Sequence, residues 1–229
     1  MDKNYAKSLL DKTRKDYNLI ARDFSSTRRF IWKDLKPLIQ YIMPKDKVLD
    51  LGCGNGRLLQ LLEDMDIEYF GIDNSEELIK LAKKEYPSNN FQVADALSLP
   101  FPDNYFDKVY SIAVFHHIPS EELRLKFLEE VKRVLKPKGL LIMTVWNLNQ
   151  TKNWKLILKY SLLKIVGLSK LDFCDVLVPW AKTCQRYVHN FSIRRLGKLV
   201  KKAGFQVKEI GVLKRPERKD NNIYIIASS

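Results

Sequence analysis

Apolar positions in the middle of the chain switch repeatedly between two spacings. Val48, Leu49 and Leu51 form a short compact run, and Leu58, Leu59, Leu61 and Leu62 then recur at helical spacing. "EYFGID" is a second strand ending at Asp73, followed by a helical stripe of Leu78, Ile79 and Leu81/Ala82 behind Ser75-Glu76-Glu77-Leu78, a loosened capping box. "FQVADA" ends at Asp95, "FDKVYSIAVFHHI" is a fourth strand, "SEELRLKFLEEVKRVLKP" a helix stopped at Pro137, and "GLLIMTVWN" a fifth strand. Strands and helices alternating at crossover length predict a parallel, doubly wound sheet. "FQVKEIGVL" and "NNIYIIASS" add two final strands, a hairpin joined by "KRPERKD".

Between Asn147 and Pro179 the rhythm breaks into "LNQTKNWKLILKYSLLKIVGLSKLDFCDVLV", apolar and lysine-bearing. A helix apolar on most sides is expected to pack against the body. A lid, an RNA-binding helix and a helix lying on a membrane surface are the other uses of such a segment. With 229 residues and 45% apolar content, the chain is read as a single domain, 1–229. Its parts are a basic helical segment (1–44), a cofactor-binding core (45–147), an insertion (148–185), and a C-terminal helix and strand hairpin (186–229).

Charge sharpens this division. The net +13 separates into +5 over residues 1–44, −4 over 45–150 and +12 over 151–220. Basic flanks around a mildly acidic middle draw polyanions, nucleic acid or an anionic membrane surface, with solubilising lysine as the plainer reading. Cys53, Cys174 and Cys184 have no CxxC spacing, so neither a disulfide framework nor a zinc knuckle is suggested; no metal site is expected. No secretory leader or membrane span is read, which places the protein in the cytoplasm with no stable membrane insertion.

The chemistry concentrates where strands end. Gly52, Gly54 and Gly56 follow the first strand as G-x-G-x-G, with Asp50 inside the strand and Asp73 and Asp95 closing the next two. A pyrophosphate would be repelled by Asp50, so the dinucleotide reading of a glycine-rich turn is disfavoured. A cofactor with an amino-acid tail and a ribose diol suits it: an ammonium can be held near Asp50, and Asp73 can accept from both ribose hydroxyls. These residues resemble the class I S-adenosylmethionine-dependent methyltransferases. The resemblance implies an α/β, doubly wound Rossmann-like sheet of seven strands, the last antiparallel, with helices on both faces. The implied shell for S-adenosyl-L-methionine is Asp50, Gly52, Cys53, Gly54, Asn55, Gly56, Asp73, Asn74, Asp95, Ala96, Ser111 and Ala113. Cys53 also reads as a small filler of a tight turn, and Asp95 as a cap of the following Pro-rich connection.

The acceptor is a separate question, because a fold does not name a substrate. His116 and His117 follow the fourth strand at its carboxyl end, where ligands gather in such sheets, and read as wall or orienter before proton carrier. "FSSTR", "AVFHH", "DVLVPW" and the run Arg186-Tyr187-x-His189-x-Phe191 resemble the eukaryotic wobble-uridine tRNA carboxymethyl methyltransferases, from about Tyr17 onward. Val188 departs from that family's usual second tyrosine. The resemblance implies esterification of 5-carboxymethyluridine in tRNA, with Arg28, His116, His117, Arg186, Tyr187 and His189 positioning the acceptor. Tyr187, Arg186 and His189 would then receive an extruded pyrimidine. A carboxylate with a pKa near ~4.3 is already ionised, so no general base is expected, and one arginine clamp suffices. The family also works with a small zinc-containing activator protein. Two alternatives use the same core: a small-molecule methyltransferase acting on a quinone precursor or carboxylic acid, and a non-catalytic, cofactor-dependent RNA-binding module.

Overall fold

The computed structural model describes residues 1–148, 154–214 and 221–229. Seven strands form one sheet in the order β3-β2-β1-β4-β5-β9-β8: β1 (Lys47–Leu51), β2 (Glu68–Asp73), β3 (Asn90–Val93), β4 (Phe106–Ile112), β5 (Leu135–Trp146), β8 (Gln206–Leu213) and β9 (Asn222–Ser228). β9 runs antiparallel to both β5 and β8, while β1 to β5 pair in parallel. The doubly wound sheet anticipated from the strand rhythm is therefore present, in the seven-stranded form with an antiparallel last strand that the resemblance implies, and its strand order reverses between β1 and β4. That switch point opens a crevice at the carboxyl ends of the strands.

Helices cover both faces: α1 (Lys3–Thr27), the short α2 (Lys36–Ile39), α3 (Glu76–Glu85), α4 (Glu121–Val134), α5 (Trp154–Ile165) and α6 (Ile193–Lys202). Ser75, Ser120 and Ser192 cap α3, α4 and α6 by accepting from the backbone N–H three residues on, and Asp2 caps α1. One core layer gathers Leu49, Leu51, Val109, Phe127, Val131 and Leu141; the other gathers Val48, Tyr69, Tyr110, Ile142 and Ile226. Successive residues of each strand thus feed opposite layers.

Four details differ from the pattern of the sequence. The leucines after the glycine turn form a 3-10 helix, Arg57–Leu61, instead of an α-helix; Gly56, at φ 77°, enters it without a side-chain cap. α4 ends at Val134, before Pro137, because β5 already begins at Leu135. A second sheet, the hairpin β6 (Asp175–Trp180) and β7 (Cys184–His189), crosses the boundary expected at 185/186. α5 packs against the body as expected, through Leu156, Ile157 and Tyr160, but none of its residues is fully buried. The expected loop "KRPERKD" lies, apart from Lys214, outside the described residues.

Candidate cofactor and acceptor site

A cavity of about 1020 Å³ opens at the switch point, floored by the ends of β1, β2 and β4 and roofed by α1 and the β6–β7 hairpin. Asp50, Gly52, Cys53, Gly54, Asn55, Asp73, Asn74, Asp95, Ala96 and Ala113 line it, whereas Gly56 and Ser111 of the expected shell do not. The turn is held in place by main-chain bonds: Gly52 and Cys53 N–H donate to the Ile72 carbonyl at 2.8 and 2.9 Å. Gly52 has φ +80°, and a Cβ there would overlap Val114, so the close approach of the two loops requires glycine.

The three acids differ in environment. Asp73 accepts from Gly54 N–H at 3.0 Å and Ser75 N–H at 2.8 Å. Burial pushes its carboxyl up, and these backbone donors oppose that shift. Asp50 is 2% exposed and receives the Tyr69 hydroxyl at 2.9 Å. Burial raises it to about 7 against the Tyr69 bond, with Asp73 adding repulsion. Asp95 accepts from Leu97 N–H at 2.9 Å through one oxygen and lines the cavity. Cys53 is buried and its thiol pushed well up by burial first, so it is a filler of the turn and not a nucleophile.

The other half of the cavity is built from α1, the loop after β4, and the hairpin. Tyr17, Phe24, Arg28, His117, Trp146 and Arg186 line it. The Arg186 guanidinium carbon lies 4.9 Å from the Trp146 ring centroid and 4.7 Å from that of Trp180. Arg28 lies 4.3 Å from Trp180 and 4.9 Å from Phe24. Both guanidiniums therefore contact the same indole. Arg186 is only 4% exposed; among the described residues it makes no ion pair with a carboxylate, and its Nε is buried without a hydrogen-bond partner. A buried cation in this state favours an anion arriving from the cavity.

The two histidines separate. His117 lines the cavity, with Nδ1 2.6 Å from the Tyr187 carbonyl and Nε2 2.9 Å from the Tyr17 hydroxyl. Because a carbonyl only accepts, Nδ1 carries the proton and Nε2 accepts from Tyr17. Burial, then Arg186, lowers His117 to about 3, so it is neutral at physiological pH. His116 is fully buried, stacks on Trp146 at 4.7 Å and does not line the cavity.

Tyr187 and His189 do not line the cavity either. In an extended strand successive side chains face opposite ways, so Arg186 and Val188 share one face of β7 and Tyr187 and His189 the other. Tyr187 packs with Leu9 and Leu171 beneath α1, and His189 Nδ1 meets Asp175 at 2.6 Å. A base stacked on Tyr187, as anticipated from the sequence, has no access there; Tyr187 serves through its carbonyl, which holds His117. The aromatic residues that do line the cavity are Tyr17, Phe24, Phe30, Trp32 and Trp146. The signal that could have marked Tyr17 and Phe24 is their spacing on one helical stripe with Leu10 and Thr13, all four lining the cavity.

Sheet order, glycine turn and acid-tipped strands define a doubly wound protein built for a nucleoside cofactor, with a cationic, aromatic-walled chamber beside it. Residues 49–143 match the family model described as a methyltransferase domain. The chain is 30% identical over 218 residues to the tRNA (carboxymethyluridine(34)-5-O)-methyltransferase of Schizosaccharomyces pombe, covering 85% of this chain and 89% of that protein. It is 38% identical over 134 residues to the protein of that name from Arabidopsis thaliana, covering 58% of this chain and 32% of that one. Relatives from Xenopus tropicalis and Mus musculus are spanned over only 23% and 20% of their length. Among solved structures, a S-adenosylmethionine-dependent methyltransferase from Methanosarcina mazei superposes with a TM-score of 0.72 at 26% identity, covering 87% of this chain and 98% of that one. A Haloferax volcanii methyltransferase in complex with the Trm112 activator reaches the same TM-score at 19% identity, covering 94% and 96%, a likeness of fold.

The chain belongs to the class I S-adenosylmethionine-dependent methyltransferases, and its curated relatives include proteins named for the tRNA carboxymethyluridine reaction. S-adenosylmethionine is accordingly its cofactor and, when bound, supplies a methyl group on a positively charged sulfur. The donor set fits: a buried carboxyl at Asp50, a backbone-oriented carboxyl at Asp73 and a cavity-lining one at Asp95.

Proposed function

We infer that the protein esterifies the carboxylate of 5-carboxymethyluridine at the wobble position of tRNA. The observation that carries this reading is Arg186: a cavity-lining cation, 4% exposed, that has no carboxylate partner among the described residues. An acceptor carboxylate supplies the missing charge, and Arg186 holds one oxygen while the other points into the cofactor half. The acceptor is ionised near neutral pH, so no residue has to take a proton; this agrees with a His117 that stays neutral and is already engaged on both nitrogens. Trp146 and Tyr17 wall the chamber against water. The +12 carried by residues 151–220 suits a polyanionic substrate, and the names of the curated relatives point to tRNA. A small zinc-containing activator, as the sequence resemblance implies, is the fitting protein partner; the Haloferax neighbour is likewise bound to an activator protein.

The test is transfer of labelled methyl from S-adenosylmethionine to tRNA lacking the terminal ester, with and without the activator, followed by nucleoside mass spectrometry and mild alkali. A base-labile methyl on carboxymethyluridine is expected, lost in Arg186→Ala with cofactor affinity retained. Methylation of free carboxylic acids but not of tRNA would replace this reading with the small-molecule one. A methylated base nitrogen, stable to alkali, would remove the carboxylate altogether.

A further inference from the structure

Half of the twelve large apolar side chains that stand exposed on the described surface fall within fifteen residues, 154–168. Trp154, Leu158, Leu162 and Ile165 form one stripe along α5, and Val166 and Leu168 extend it past the helix end; exposures run from 52% to 77%. Spacings of four, four and three residues put the stripe on a single side. The opposite side, Leu156, Ile157 and Tyr160, seats the helix on Val176, Val178, Val188 and Leu148. Lys155, Lys159 and Lys170 are exposed and Lys164 is half-buried, and residues 154–171 contain no Arg, Asp or Glu.

An outward apolar stripe of this length is unusual on a monomeric surface and marks something that covers it. RNA matches the lysines but leaves Leu158, Leu162 and Ile165 against phosphate and ribose. A second copy brings the same lysines against themselves. Protein interfaces favour Arg and disfavour Lys, the reverse of this segment. Anionic lipid satisfies both features: headgroups meet the lysines, whose stems reach along the helix, while Trp, Leu and Ile enter the acyl boundary. We propose that α5 docks the protein, lying flat, on an anionic membrane surface. No helix among the described residues is long and apolar enough to cross a bilayer, so the contact is peripheral. It packs on Val176, Val178 and Val188, the face of the hairpin that also carries Arg186, so the bound surface lies beside the acceptor chamber. This inference stands independently of the acceptor proposed above.

The experiment is co-sedimentation of the full chain with vesicles of phosphatidylcholine alone or of equimolar phosphatidylcholine and phosphatidylserine. Binding is expected to the mixed vesicles and not to the neutral ones. It should fall by about tenfold or more in the double variant Leu158→Ser/Leu162→Ser and in Lys155→Glu/Lys159→Glu, while Arg186→Ala binds as the parent does. Because Leu158 and Leu162 are exposed, the melting temperature should be unchanged. No binding to mixed vesicles, or binding that both double variants retain, overturns the proposal. Loss of tRNA affinity in Leu158→Ser/Leu162→Ser without vesicle binding reassigns the face to RNA. Self-association abolished by that variant reassigns it to a second copy.

Discussion

The Tyr17 hydroxyl lies 2.9 Å from His117 Nε2 and 3.5 Å from an Arg186 terminal nitrogen, linking the roof helix to the wall of the chamber across 100 residues of chain. With His117 Nδ1 held by the Tyr187 carbonyl, the hydroxyl has one orientation: its proton toward His117, its lone pairs toward the guanidinium. Tyr17 is thus a positioning residue for Arg186. Tyr17→Phe should lower kcat/KM for methyl transfer about tenfold, roughly the worth of a neutral hydrogen bond, and leave cofactor affinity unchanged by calorimetry. Since burial holds His117 near 3, the pH–rate profile of both proteins should show no histidine step between pH 6 and 8. A step in that range would mean that the imidazole exchanges protons with solvent during turnover.

Asp50 should make cofactor binding pH-dependent. Its carboxyl, raised to about 7 by burial, is largely protonated below that pH in the cofactor-free protein. An arriving ammonium favours the ionised form, so binding expels the proton. Affinity should therefore rise about tenfold per pH unit up to near pH 7 and then level off. The stability consequence has the opposite sign. An acid with a folded pKa above its unfolded one holds more protons when folded, so the cofactor-free chain loses stability as pH rises from about 4 to about 7. Asp50→Asn should abolish both slopes and weaken binding; a titration by calorimetry at several pH values checks this.

Gly52 and Gly167 separate two costs of adding a Cβ. Both have positive φ, +80° and +74°, but at Gly167 nothing lies within 4 Å, whereas at Gly52 a Cβ overlaps the Val114 side chain, with Cγ1 at 2.9 Å. Gly167→Ala should cost about 1 kcal/mol through backbone strain alone. Gly52→Ala should cost ~1–3 kcal/mol more, through that overlap, and displace the turn that lines the cofactor half. Thermal melts with and without cofactor measure both: Gly167→Ala keeps its cofactor-induced shift and Gly52→Ala loses most of it.

These contrasts show which parts of the molecule were legible in the chain. The seven-stranded sheet was, because each early strand ends in chemistry that only a strand end can use: Asp50 and Gly52, Asp73, Asp95. The hairpin was not, because "DVLVPW" is buried in an apolar tract, and Arg186-Tyr187-x-His189 reads as a cluster until pairing imposes a two-residue period. That period sends Arg186 to the cavity and turns Tyr187 away. Tyr17 lay on a visible helical stripe, but its role was hidden for another reason. Its role depends on where α1 lies over the sheet, a fact of packing between residues 100 positions apart. Local patterns report strand ends and helix stripes; they do not report which stripe roofs a cavity.

Arg28 and Arg186 touch the same indole but stand in different settings, and their variants should fail differently. Arg28 follows the last turn of α1, half-buried, with its guanidinium between Phe24 and Trp180 and one nitrogen 2.9 Å from Thr27 Oγ1. Arg186 is buried deeper, between Trp146 and Trp180. Two tight cations on one carboxylate would stabilise its ground state and slow attack, so the more exposed arginine is better used on a phosphate of the substrate. Arg28→Ala should then weaken tRNA binding, reduce the slope of log affinity against log salt by about one, and leave kcat close to the parent value. Arg186→Ala should lower kcat by two orders of magnitude or so, in line with loss of an oriented charge-assisted contact, with little change in the salt slope. Single-turnover rates at saturating tRNA, measured across a salt series, separate the two. If Arg28→Ala lowers the single-turnover rate as far as Arg186→Ala does, the two guanidiniums hold the acceptor together and the single-clamp arrangement is wrong.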